Sequence, residues 1–225
     1  KGRQLQHREQ EILAAALRRF DSDDWQAVTM DQIAQEAEIG KGTLYLHFAS
    51  KEEIYARLAL DFGRGLLAGF RSVSTKLGPV ARLRGVMRLF LEEHLARREY
   101  RRVVEYCYRD DFRRRVGATV SAEFAELDTQ LFELIDGILT EGIQLGRFPK
   151  RPVPVLLIGP HSALIGAARL LWGGCAVFPV GSPEIFIREV CDFVLAGLTG
   201  RSARIATRPA TPQPAAPQPA APQPA

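Results

Sequence analysis

Two short helices, encoded close together near the N-terminus, constrain the fold of this chain most. In the segment VTMDQIAQEAEIGKGTLYLHFASKEEIY, Thr29 and Gln32 form the pattern of a capping box, and Ser50 and Glu53 repeat that pattern before the next helix. Gly40 lies between the two short helices and permits a sharp change of direction. Helices of roughly eight residues separated by about four residues are typical of a helix-turn-helix.

Helical periodicity continues on both sides of this segment. Apolar residues recur at helical spacing in EILAAALRRF, which precedes it, and in PVARLRGVMRLFLEEHLARR and FAELDTQLFELIDGILTEGIQLG, which follow it. No convincing strand pattern is present, and hydrophobic residues make up 46% of the chain, enough for a core. We therefore predict an all-α protein with a three-helix helix-turn-helix domain at residues 1–51 and a larger helical domain at residues 52–200. The Pro/Ala/Gln-rich residues 201–225 are predicted to be a disordered tail.

No pattern in the sequence calls for a cofactor, a metal or catalysis. Paired catalytic carboxylates, a Ser/His/Asp arrangement and a phosphate-cradling glycine loop are not found. The most apolar stretch, which begins at Val153, is interrupted by Pro160, His161 and Arg169, and this favours a buried helix over a membrane span. Three widely spaced cysteines without a CxxC motif predict free thiols in a reducing cytoplasm, either as small buried hydrophobic groups or as a redox switch: Cys107, Cys175 and Cys191.

Charge is distributed unevenly, although the net charge of +4 is only mildly positive. Residues 1–51 contain 7 Lys+Arg and 8 Asp+Glu, a net charge of −1, whereas residues 71–115 contain 13 and 6, a net charge of +7. A DNA-binding role for the first segment therefore requires a local cluster of cations rather than an overall basic domain. The basic stretch YRRVVEYCYRDDFRRR is interpreted as a solvated face or as a site for an anionic ligand.

One face of the second short helix is predicted to be exposed, because Leu44 and Phe48 point into the core at a spacing of four residues. A solvated helix face with a partly buried tyrosine is one interpretation of this row. The other is a DNA-reading surface, which consists of Lys41, Gly42, Thr43, Tyr45, Leu46 and His47, with Lys51 at the start of the next helix.

Each residue type in this row has a use on a duplex. Hydroxyls of Thr43 and Tyr45 can donate to phosphate oxygens, and Lys41 can reach guanine O6 and N7 in the major groove. Leu46 can contact a thymine methyl, and Lys51 adds a cation beside amides that favour phosphate.

Residues 8–55 closely resemble the N-terminal domain of TetR/AcrR-type transcriptional regulators, through ILAAALRRF and VTMDQIAQEAEIGKGTLYLHFASKEEIY. The resemblance implies a homodimer, packed mainly through helices at about 153–175 and 183–199. The resemblance also implies that the dimer binds a palindromic DNA operator. It would release this operator when a small-molecule inducer, here unidentified, enters the larger domain. The positions that match DNA contacts in this family are Thr29, at the cap of the second helix, and Lys41, Gly42, Thr43, Tyr45, His47 and Lys51. Relatives often carry glycine where this chain has Glu38, and a left-handed turn there would strain a glutamate.

Candidates for a ligand pocket come from aromatic and histidine side chains of the larger domain, most of which are expected to be core. They are Phe62, Phe70, Phe90, His94, Tyr106, Phe124 and Trp172. Arg169, in an otherwise apolar helix, is expected to pair with an acid across the dimer or to contact an anionic ligand.

The sequence thus predicts a dimeric, ligand-responsive repressor in the cytoplasm. Two alternatives remain at this point. One is an all-α carrier or enzyme with a non-functional helix-turn-helix, and the other is an adaptor that recruits a partner through the proline-rich tail.

Overall fold

The computed structural model describes residues 2–113, 115–173 and 181–199, so the predicted tail and Cys175 lie outside the described residues. Within this part of the chain all regular elements are helical, which confirms the predicted all-α class. The helices are α1 (Gly2–Phe20), α2 (Met30–Glu36), α3 (Lys41–His47), α4 (Lys51–Ser72), α5 (Pro79–Ala96), α6 (Arg101–Cys107), α7 (Asp110–Arg113), α8 (Ala118–Gln144), α9 (Val153–Gly173) and α10 (Pro183–Thr199), with 3-10 turns at Trp25–Ala27 and Arg98–Tyr100.

The first three helices form a head around a small apolar core. Thr29 caps α2, where its side chain accepts from the Gln32 N–H and the Gln32 side chain accepts from the Thr29 N–H, so the predicted capping box is present. Ser50 caps α4 by accepting from the Glu53 N–H, but the Glu53 carboxylate accepts from Ala49 rather than from Ser50. The side chains that close the head's core are almost fully buried, as predicted for the last two: Ile12, Phe20, Ile33, Leu44 and Phe48.

The head is joined to the rest of the chain through α4. This helix runs without interruption from the head into the larger domain, so the predicted boundary at residues 51 and 52 falls in its first turn. Arg57 and Arg64 of α4 both donate to the carboxylate of Glu123 on α8, at 2.6 and 2.7 Å. Partial burial opposes ionisation of Glu123, but the two guanidinium groups outweigh it and lower the pKa of this carboxyl.

The last two helices, α9 and α10, pack on α5 and on each other. In the part of the chain that the structure describes, α9 alone is long and apolar enough to cross a membrane by length and composition. Of its most apolar 18 residues, 28% are buried within the chain. Its inward side is lined at helical spacing by Leu156, Ala167, Leu171 and Trp172. Cys191 of α10 and Cys107 of α6 are both buried, which fits their interpretation as small hydrophobic groups.

A Schellman motif ends α8 and shows why two glycines stand there. The N–H of Arg147 donates to the carbonyl of Gly142 at 2.7 Å, and the N–H of Gly146 donates to the carbonyl of Ile143 at 3.0 Å. Gly146 has a φ of +65°, the left-handed conformation that this motif requires. Gly142 leaves room for the ring of Phe148, because a Cβ there would lie 2.1 Å from Cδ2 of the ring.

The same motif ends α2, but a glutamate occupies the left-handed position. The N–H of Ile39 donates to Ala34 at 3.0 Å, and the N–H of Glu38 donates to Gln35 at 3.1 Å. Glu38 has a φ of +54° and is the only non-glycine residue with positive φ among the described residues. The strain expected from the sequence is therefore present, immediately before the turn into α3.

We expect the substitution Glu38→Gly to stabilise the protein. A left-handed non-glycine residue costs about 1–2 kcal/mol, so we predict a gain of roughly 1 kcal/mol and a rise in Tm of about 2–4 °C by calorimetry. Glu38→Ala is the matched control, because it removes the charge but keeps the strained Cβ. An equal gain in both variants would show that charge rather than backbone strain limits stability.

Two glycines of α8 provide a second matched pair. Gly142→Ala should lower the free energy of unfolding by about 1–3 kcal/mol, since the new methyl group overlaps the Phe148 ring. Gly137→Ala in the same helix meets nothing within 4 Å and should raise the free energy of unfolding by up to about 1 kcal/mol. Urea denaturation of both variants tests this, and destabilisation of equal size in both would contradict the packing role of Gly142.

Candidate nucleic-acid interface

α3 exposes two large side chains to solvent, and neither packs into the core of the fold. Leu44 and Phe48 anchor the helix in the head's core, which turns the opposite face outward. On that face Tyr45 is 46% exposed and Leu46 is 86% exposed. Two large apolar side chains exposed side by side on a short surface helix contribute little to folding, and together they form a small patch that a partner could cover.

Six of the eight predicted contact residues are exposed together on this side of the head. They are Thr29, Lys41, Gly42, Thr43, Tyr45 and Leu46. Gly42 has nothing within 4 Å of the place where a Cβ would stand, so a partner's backbone can approach α3 closely there. The remaining two residues, His47 and Lys51, lie differently from the prediction.

His47 is mostly covered, so its predicted place in the exposed row is wrong. Its side chain is 9% exposed and lies against α1, with Nδ1 3.7 Å from the carboxylate of Glu9. The ring also lies beside that of Phe48, with centroids 6.5 Å apart. The sequence pattern of α3 alone could not show this, because the covering residue belongs to the early turns of α1.

The sequence predicts that Lys51 presents a cation to phosphate. In the structure its amino group instead holds a loop in place. Its Nζ donates to the carbonyls of Gln26 and Val28 at 2.8 and 2.9 Å. These carbonyls lie in the loop that leads to Thr29, so Lys51 holds the start of α2 against the first turn of α4. One of its three N–H groups is left over from these two bonds.

Lys41 is exposed but paired. Its Nζ lies 2.8 Å from Oδ1 and 3.0 Å from Oδ2 of Asp31, on the first turn of α2. The hydrogen bond and the charge of Asp31 raise the pKa of Lys41. The pair joins the N-terminal ends of α2 and α3 on the exposed side of the head.

Two arginines of the basic stretch near residue 100 neutralise the acidic loop of the head, a pairing that the sequence did not indicate. Arg101 of α6 pairs with Asp21 at 3.0 Å, and Arg102 pairs with Asp23 at 2.5 Å. The head's net negative charge is thus concentrated in a loop that faces arginines of the larger domain. Its exposed helix face carries less of that charge than the sequence count indicates.

Four of the seven pocket candidates pack around one another. The rings of Phe62, Phe90 and Trp172 surround His94, with centroids 5.0, 4.1 and 4.9 Å from its ring. Tyr106 stacks separately, against Trp25, Tyr55 and Phe112 at the junction with the head, and Phe124 and Phe70 are buried elsewhere in the core.

His94 is a satisfied buried histidine. It is 3% exposed, and its Nδ1 lies 2.6 Å from the carbonyl oxygen of Phe90, which makes Nδ1–H the donor. Burial lowers its pKa to about 4, against the smaller opposing effect of that hydrogen bond, so the ring is neutral near pH 7. Its own carbonyl accepts from Nε1–H of Trp172 at 2.5 Å, which fixes the stack between α5 and α9.

In two cavities that described residues border, none of the aromatic or histidine side chains predicted to line a pocket is part of the lining. One, of about 370 Å³, lies between α1 and α2, and the other, of about 490 Å³, lies between α5 and α10. Arg169, expected to pair across the dimer or with an anionic ligand, is exposed and pairs with Glu105 of α6 at 3.3 Å within the same chain. Its pairing therefore needs neither a second subunit nor an anionic ligand.

Comparison with known proteins agrees with the geometry of the head. Residues 12–58 match the model of the family described as bacterial regulatory proteins, tetR family. The HTH-type transcriptional repressor KstR2 of Mycobacterium tuberculosis is 30% identical over 146 residues, which are 64% of this chain and 71% of that protein. The HTH-type transcriptional activator FasR of Mycolicibacterium smegmatis is 27% identical over 191 residues, 76% of this chain and 84% of that protein.

Solved structures share the fold over most of the chain. A bacterial regulatory protein in the tetR family from Rhodococcus RHA1 superimposes with a TM-score of 0.70 at 20% identity, over 85% of this chain and 96% of that one. The ketosteroid transcriptional regulator KstR2 of Mycobacterium tuberculosis superimposes with a TM-score of 0.63 at 24% identity, over 86% and 95%. The chain therefore belongs to the TetR family of bacterial regulators and is a DNA-binding transcriptional regulator.

Proposed function

We propose that this regulator is a cytoplasmic homodimeric repressor that binds a palindromic operator and leaves it when a small molecule enters the larger domain. The observation that carries the proposal is the outward face of α3, where Tyr45 and Leu46 are exposed beside the cation Lys41. Such a face is suited to the major groove, which admits one α-helix.

The proposed contacts follow from which side chains are exposed on that face. Thr43, Tyr45 and the capping residue Thr29 face phosphates, while Lys41 and Leu46 face base edges. Gly42 lets the sugar-phosphate backbone come close. His47 and Lys51 remain proposed contacts through the parts of their side chains that Glu9 and the loop carbonyls leave accessible.

The proposed dimer forms through α9 and α10. Each helix turns apolar side chains outward, with Ile158 of α9 66% exposed and Phe193 of α10 74% exposed. Gly159, Gly166 and Gly197 have nothing within 4 Å of the place where a Cβ would stand, so no neighbour within the described chain explains them. Small residues beside apolar ones let a partner helix approach closely, and a two-fold axis would bring both stripes onto themselves.

In the proposed dimer, DNA binding depends on the distance between the two heads, and a ligand can change that distance. Both heads of the dimer must fit successive major grooves about 34–36 Å apart. A conformation of the larger domains that changes the distance between the heads therefore lowers the affinity for the operator. A ligand that binds that conformation more tightly shifts the population away from DNA. The named role of KstR2 as a ketosteroid regulator supports an apolar ligand. The proposed lining residues of its pocket are Phe62, Phe90, His94, Tyr106, Phe124 and Trp172.

Selection from a random duplex library tests the regulator against the carrier or enzyme alternative. We expect an inverted repeat with half-sites about one helical turn apart, and affinity that falls steeply with salt as phosphates are neutralised. The variant Tyr45→Phe serves as a control, because loss of a phosphate bond should weaken binding on every sequence alike. A folded protein that enriches no sequence at low salt would contradict the proposal.

The substitution Ile158→Glu should dissociate the dimer. It places a charge on the apolar stripe of α9, and two-fold symmetry introduces it twice. We expect dimer affinity to fall at least about ten-fold, equivalent to about 1.4 kcal/mol, in analytical ultracentrifugation. Leu77→Glu, at an exposed leucine between α4 and α5, is the matched control and should leave the dimer intact. Equal dissociation in both variants, or in neither, would contradict the proposed interface.

A further inference from the structure

Asp31 is an unusual presence on a surface built to meet DNA. Its carboxylate is 62% exposed and lies on the first turn of α2, beside Thr29 and opposite the first residue of α3. A negative charge there repels phosphate and weakens binding to every duplex. An acid in the first turn also interacts favourably with the helix dipole of α2, but that interaction is weak at an exposed position.

The pair that Asp31 forms with Lys41 contributes little to the stability of the head. The Lys41 side chain is 59% exposed, and ion pairs between exposed side chains are weak in water. Its geometry is nevertheless well defined, because Nζ is shared between both carboxylate oxygens at 2.8 and 3.0 Å. One N–H of Lys41 and further lone pairs of Asp31 remain for another partner.

We infer that Asp31 and Lys41 read one G·C base pair as a unit, with Lys41 donating to guanine and Asp31 accepting from cytosine. This inference rests on the proposed function of α3. In the major groove, guanine offers the acceptors N7 and O6, and cytosine offers the N4 amino donor. O6 and N4 are hydrogen-bonded to each other, so they lie about 2.9 Å apart. The donor and acceptor of the Asp31–Lys41 pair have the same separation.

The same geometry rejects A·T and C·G base pairs. With A·T, Lys41 would meet the adenine N6 donor and Asp31 the thymine O4 acceptor, and C·G reverses both partners in the same unfavourable way. T·A keeps one acceptor and one donor but puts a methyl group near the place of guanine N7. The carboxylate of Asp31 therefore lowers the affinity for every duplex, but it increases the discrimination between base pairs.

The experiment compares Asp31→Ala, Asp31→Asn, Lys41→Ala and the double variant Asp31→Ala/Lys41→Ala with the unchanged protein. Each dimer is used for library selection, and affinities are then measured on the selected operator, on operators changed at single base pairs and on an unrelated duplex. Asp24→Ala is the matched control, since it removes an exposed acid from the α1–α2 loop of the head. Thermal unfolding of each variant establishes that the head is folded.

We expect one G·C position in each half-site to lose roughly ten-fold or more of its discrimination in both Asp31 variants. The same variants should bind the unrelated duplex several-fold more tightly, because one negative charge per head is gone. The double variant should lose no more discrimination at that position than either single variant, as for residues that act together. Asp24→Ala should leave the base preference unchanged.

Two results would overturn the inference. If Asp31→Ala raised affinity for all duplexes alike and kept every base preference, Asp31 would only repel phosphate. If the single variants altered different positions, the two residues would not read one base pair. In either case an operator selected by the unchanged protein would leave the proposed function standing, whereas selection of no operator would overturn both.

Discussion

The burial of Leu44 and Phe48 is the interaction on which the function of the head depends. α3 has seven residues, and a helix that short is not stable by itself in water. Each large apolar side chain that is fully buried contributes about 1.5–3 kcal/mol, so these two residues fix both the existence and the rotation of α3. Tyr45 and Leu46 are outward because their neighbours are inward, and a rotation of the helix by one residue would bury these two side chains.

The position of the head relative to the larger domain depends on a second set of contacts, centred on the loop between α1 and α2. Arg101 and Arg102 bind this loop from α6, and Lys51 binds it from α4. The loop leads directly into Thr29, the cap of α2. A displacement of α4 or α6 therefore acts on the start of α2 through short polar contacts, and the head has no independent hinge at this loop. The neutralised acids explain how a segment with net negative charge can still present a face for DNA.

Local features of this fold could be predicted from the sequence, whereas pairings between distant segments could not. The cap at Thr29, the inward direction of Leu44 and the strained turn at Glu38 depend on residues a few positions apart, and all three agree with the structure. The exposed position predicted for His47 and the free cation predicted for Lys51 are not found, because a glutamate of α1 and the carbonyls before α2 approach them from far along the chain. Helical periodicity indicates which face is buried, but it does not say which element covers the other one. The same limit applies to the larger domain, since aromatic residues at helical spacing are compatible with a pocket wall and with a stacked core.

The apolar composition of α9 does not by itself indicate what this helix contacts. The positions of its apolar residues around the helix are also needed. A lipid-facing helix that stands alone is apolar around its whole circumference. α9 instead divides into a side packed on the chain and a side where Val155 and Ile158 alternate with Gly159 and Gly166 at helical spacing. The exposed side also carries Arg169, held by an acid of α6. Apolar side chains next to glycines, with a charge at one end, match the requirements of a packed helix pair, in which close approach of backbones and a polar rim occur together. In the proposed dimer, the exposed apolar side chains of α10 supply the second half of a self-complementary surface.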